Sequence, residues 1–115
     1  AYQAMELQIL DNTAEKYAKL EPYQYHGSIY GVVPAKRGFL KPVGEWNEQE
    51  VIADGDHIKV ILNGEVIVDA NIREASEGDT MDKKEHPGLL RPSGRIGFLG
   101  HGDVIYFRDI RVKKL

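Results

Sequence analysis

The pair Asn63-Gly64, set between the β-rich runs Ile58–Leu62 and Glu65–Val68, constrains this chain more than any other feature. A two-residue hairpin of type I′ needs positive φ at both central positions, which Asn and Gly tolerate and most residues do not. Upstream, Asp54-Gly55-Asp56 separates Glu48–Ala53 from His57–Leu62, so three antiparallel strands are expected to follow one another as a meander. Further strands are predicted over Met5–Leu10, Gly27–Val33, Arg95–Leu99 and Val104–Lys113. In the last, Val104, Tyr106, Arg108, Ile110 and Val112 share one face, while Ile105, Phe107, Asp109 and Arg111 share the other. Apolar residues on both faces suit an inner strand with a core below and a partly covered or ligand-bearing face above.

Two segments carry no sustained period. Thr13–Tyr25 is rich in Tyr and charge, and Ile72–Pro92 is rich in Glu, Asp, Lys and Gly; both read as long loops, with a helical turn near Ala14–Lys19. Long loops inside a compact domain are usually functional or else mark a misassigned element.

At 115 residues the chain has the size of one domain, and its 42% hydrophobic and 29% charged residues are those of an average globular protein. No apolar run approaches the roughly 20 residues that span a bilayer. The 15 basic and 18 acidic residues leave a formal charge of -3 with no basic stripe, which argues against nucleic acid as a partner. The absence of cysteine excludes a disulfide framework and thiolate metal sites, and leaves the compartment open. No H-x-H, H-E-x-x-H or three-carboxylate loop exists, and neither does a phosphate loop or a serine nucleophile elbow.

Three segments in order carry a resemblance: Met5-Glu6-Leu7-Gln8-Ile9-Leu10-Asp11-Asn12, then Gly44-Glu45-Trp46-Asn47 leading to Leu62-Asn63-Gly64, then Gly94 to Gly102 with Phe107-Arg108-Asp109-Ile110-Arg111. Together, from Met5 to Leu115, they resemble the 3-keto-disaccharide hydrolase family. Asp109 stands where that family usually carries Asn. The resemblance implies a concanavalin A-like jelly roll of two antiparallel sheets, an activity on carbohydrate, and export to the periplasm or beyond by polysaccharide-degrading bacteria. It also implies strands before Met5, in keeping with the low strand count. The expectation is an incomplete sandwich, finished by a further chain segment or subunit. At least one sheet edge should then lie open, and Leu7, Ile9 and Ile29 should be more exposed than a finished core permits.

Candidate site residues follow from face and chemistry. Glu6 and Gln8 share one strand face by the period of two. A carboxylate there serves as base, acid or metal ligand, or is only an exposed strand charge, and its place in the family motif sets the two readings level. His26 opens a strand in which Ser28 and Tyr30 share a parity, and histidine exchanges protons near neutral pH. His101 lies between Gly100 and Gly102, where the backbone can pass close to a ligand, and the family motif holds it. The expected catalytic set is therefore Glu6, His26 and His101. Gln8, Tyr30, Lys41, Asn47 and Arg108 are expected to bind substrate. Trp46, the only tryptophan, is read as core rather than as a sugar-stacking ring. His57 is expected to be exposed, and a divalent metal could be held only through space, by Glu6 with His26 or His101.

Two functions fit. The first is cleavage of 3-keto-glycosides by base-assisted elimination and hydration, with Glu6 or His26 as base and His101, Arg108 or a metal stabilising the enolate. The alternative is a noncatalytic carbohydrate-binding module with Tyr23, Tyr25 and Tyr30 as its aromatic platform.

Overall fold

A computed structural model describes residues 3–115. Its regular framework is a three-stranded antiparallel sheet of β1 (Gln49–Asp54), β2 (His57–Leu62) and β3 (Glu65–Asn71), in that spatial order. The predicted meander is therefore present, with β3 running further than expected. At the β2–β3 turn Asn63 has φ 50° and Gly64 φ 85°, the paired positive values that the turn demands. The Asn63 side chain adds a clamp: its Oδ1 accepts from Glu48 N at 2.9 Å, and its Nδ2 donates to Phe39 O and Asn47 Oδ1.

The core lies on one face of β2 and β3. Ile58, Val60 and Leu62 point inward by alternation, and all three are buried. A register shift at Val60/Ile61 inserts one extra residue into β3, so that Ile67 and Val68, neighbours in sequence, are both buried. Ile29, Val32, Ala35 and Leu89 from the surrounding loops and Ile72 from the short helix after β3 close over this face. Each such aliphatic side chain is worth about 1.5–3 kcal/mol on full burial. Helix α1 (Ile72–Ala75) is a single turn that follows β3, N-capped by Asn71 Oδ1 accepting from Glu74 N. The helical turn expected near Ala14–Lys19 is present as the 3-10 turn Glu15–Tyr17, and a second occupies Pro22–Gln24.

Elsewhere the structure departs from expectation. Met5–Leu10 and Gly27–Val33 do run antiparallel, with Gln8 N donating to Ser28 O, Gly27 N to Gln8 O and Tyr30 N to Glu6 O. They nonetheless make only the bridge Leu7–Ile29, because the chain turns back at once at Gly31, φ 78°, and Ile29 pairs with Val33. Ile29 is fully buried rather than exposed, whereas Leu7 is half-buried and Ile9 exposed.

The stretches 95–99 and 104–113 form no strand among the described residues. Phe98 and Phe107 meet at 4.3 Å, but Ile96, Leu99, Val104, Tyr106, Ile110 and Val112 are all exposed. Strand pairing needs a neighbour to take the backbone donors and acceptors, and no backbone hydrogen bond joins these stretches to each other or to the sheet among the described residues. Among the described residues the regular framework is all-β in character and consists of the one three-stranded antiparallel sheet. Trp46 is not core. It is 45% exposed, with the Arg108 guanidinium 4.1 Å from its ring centre. His57 is exposed as expected and is paired with Asp69 across β2 and β3.

Candidate functional site

A cleft of about 520 Å³ opens where the first segment, the turn after Ile29, the long loop after α1 and the Gly100–His101 connection converge. Glu6, Gln8, Tyr30 and His101 line it, so half of the eight residues expected at the site meet in one hollow. Glu6 and Tyr30 are neighbours because Tyr30 N donates to Glu6 O at 2.9 Å. Tyr30 is braced on two sides: its hydroxyl accepts from Gln24 Nε2 at 2.9 Å, and its ring meets Tyr23 edge-on at 5.9 Å. With Gln24 as donor, the Tyr30 hydroxyl keeps its own proton to give.

The other four expected residues lie elsewhere, each with a local reason. His26 is buried, its Nδ1 accepting from Leu10 N at 3.2 Å and its Nε2 contacting Gln49 Oε1 at 2.8 Å. An accepting Nδ1 fixes the neutral tautomer with the proton on Nε2, donated to Gln49. Burial depresses its pKa, which the Gln49 bond only partly offsets. With both ring nitrogens engaged, His26 ties the first segment to β1. Asn47 Oδ1 accepts from Lys41 N and from Asn63 Nδ2, so Lys41 and Asn47 belong to the clamp behind the β2–β3 turn. Arg108 stacks on Trp46 and lies 3.8 Å from Asp109.

Sequence reasoning missed Asp82 and His86, which complete the cleft wall together with Lys84. His86 Nε2 lies 2.9 and 3.0 Å from the two carboxylate oxygens of Asp82, and the side chains are only 10% and 6% exposed. Thr80 Oγ1 and Lys84 N also bond the Asp82 carboxylate, and Asp82 N donates to Gly31 O. Burial pushes the Asp82 carboxyl up, but the bonds from His86, Thr80 and Lys84 outweigh it and hold the group below the usual carboxylate range. A Cβ on Gly31 would overlap Asp82 Oδ2, so only glycine lets the dyad approach this turn. The one sequence signal was the length of the loop after α1. Its lack of a period hid the pairing. Among the described residues no three His, Asp or Glu side chains gather as a metal site.

Compared with protein families, residues 1–113 match the 3-keto-alpha-glucoside-1,2-lyase-like domain. The chain belongs to this family. It is 28% identical to a 3-keto-disaccharide hydrolase of Bacteroides thetaiotaomicron, over 97% of this chain and 44% of that protein. A solved structure from Parabacteroides distasonis, assigned provisionally by its name to the glycosyl hydrolases, is 34% identical with a TM-score of 0.62. The similarity covers 76% of this chain and 46% of that one. The chain thus spans a little under half the length of these relatives.

Proposed function

We propose that the protein cleaves the glycosidic bond of 3-keto-glycosides, disaccharides among them, by elimination followed by hydration. The observation that carries this reading is the meeting of Glu6, Tyr30 and His101 in one cleft of a chain from this family. A ketone at C3 acidifies the hydrogen on C2. The Glu6 carboxylate takes that proton, the electron pair forms a C1–C2 double bond, and the C1–oxygen bond breaks. Water then adds to C1 while the proton returns to C2. Negative charge developing on the keto oxygen finds donors in the Tyr30 hydroxyl, Lys84 and His101. This route does not use the paired carboxylates of an ordinary glycosidase. His26, held neutral with both nitrogens occupied, leaves the base role to Glu6.

A noncatalytic sugar-binding module is less well supported, because Tyr25 of its platform is buried, 6% exposed, with Arg37 over its ring. We further propose that β1–β3 belong to a two-sheet jelly roll. The likeness to the solved relative and the exposed apolar residues of the stretches 95–99 and 104–113 support this. The full-length protein should release free sugar from a 3-keto-disaccharide, and Glu6→Gln should slow release by about 100-fold or more. Absence of release by the full-length protein contradicts the proposal.

A further inference from the structure

The Asp82–His86 pair is an unusual use of a surface loop. Two ionisable side chains are almost fully withdrawn from water, bonded to each other, and placed on the wall of the cleft. Burying such groups is costly unless the arrangement satisfies them. Here Thr80, the Lys84 amide and the Asp82–Gly31 backbone bond hold Asp82 in place, while Gly31 gives up its side chain to make room. A purely structural purpose would be met by a neutral polar pair or by apolar packing. The geometry instead matches the way a buried carboxylate fixes the tautomer and orientation of an imidazole that transfers protons. With Nε2 bonded to Asp82, proton exchange falls to Nδ1, which has no hydrogen-bond partner among the described residues.

We propose that His86 is the proton-transfer residue for the leaving group and for water in the elimination–hydration reaction, with Asp82 as its positioning residue. This inference rests on the reading of the cleft given above. In the first step the Nδ1 proton of the His86 imidazolium passes to the glycosidic oxygen as the C1–oxygen bond breaks and Glu6 takes the C2 proton. In the second, water forms its bond to C1 and gives a proton to neutral Nδ1, while Glu6 returns its proton to C2. Both residues regain their starting states, and no further reactant than water is consumed. Buried Asp82 stabilises the imidazolium without itself being protonated.

The test uses the full-length protein and a 3-keto-disaccharide. His86→Ala should lower kcat by about 100-fold or more with little change in KM, and added free imidazole should restore part of the loss in a saturable way. Asp82→Asn should lower kcat while leaving KM near its original value, with thermal unfolding showing that the fold is retained. Imidazole rescue is the decisive arm, because a histidine needed only for packing would not be replaced by a diffusing base. Wild-type activity with undiminished kcat in His86→Ala, or a loss that imidazole does not relieve, would overturn the inference while leaving the cleft's function intact. An inactive wild-type protein would instead sink the underlying reading.

Discussion

At the scale of single residues, His26 is a strut between Leu10 N and the Gln49 side chain, whereas the cleft is lined by side chains left open to it. Glu6, Gln8, Tyr30 and His101 were placed by strand parity and by motif, and they share a cleft. His26 was equally visible but is locked, since nothing in its neighbours revealed that Leu10 N and Gln49 would occupy both nitrogens. Its depressed pKa carries a stability consequence. The unfolded chain takes up a proton below about pH 6.5, the ordinary histidine value, while the folded state resists it. Stability contributed by neutral His26 is therefore expected to be full above that value and lost as pH falls below it. His26→Gln should flatten the dependence of the melting temperature between about pH 7.5 and 5, which thermal denaturation across pH would detect. Asp69 and Asp82, whose carboxyls are held low, lose their contributions only at more acid pH, below the ordinary carboxylate range. A histidine variant with an unchanged slope near pH 6 contradicts this assignment. Gly31→Ala is expected to destabilise the protein and weaken cleavage together, since the added methyl strikes Asp82.

At the scale of elements, what was legible was local. Asn63-Gly64 and Asp54-Gly55-Asp56 contain the whole of their turn chemistry within a few residues, and β1, β2 and β3 follow from them. Asn63 also carries a function that the hairpin rule does not contain, because its amide joins the turn to Phe39, Asn47 and Glu48. Asn63→Ala loses both the tolerance of positive φ, about 1–2 kcal/mol, and three hydrogen bonds of about 1 kcal/mol each, so a loss of about 4–5 kcal/mol is expected in denaturant unfolding. Asn63→Gly keeps the backbone freedom and should cost less. Equal losses in the two variants would show that the side-chain clamp dominates. The stretch 104–113 has an alternating pattern as clear as that of β2, yet it makes no strand, because pairing depends on a partner that lies beyond any local window. The bulge that buries both Ile67 and Val68 was likewise invisible, since it breaks the alternation on which strand reading rests.

For the molecule as a whole, two features stand out: a core confined to β2, β3 and the loops above them, and a long exposed apolar margin. Val51 on β1 is 42% exposed although it lies opposite fully buried Val60, so the core face thins out toward that edge. Together with the proposal of a two-sheet jelly roll, this predicts that in the full-length protein the amides of residues 104–113 are strongly protected from hydrogen exchange. Exchange at unstructured rates would contradict it. The cleft depends on the same architecture, because loops from distant parts of the sequence meet only when the core holds them. The central claim is that this cleft acts on a sugar activated by a ketone at C3. The most direct measurement is the rate of sugar release by the full-length protein from a 3-keto-disaccharide and from the parent disaccharide with a hydroxyl at that carbon. The account predicts release from the keto compound and none above the uncatalysed background from the parent, whereas equal rates from the two would show that the ketone plays no part.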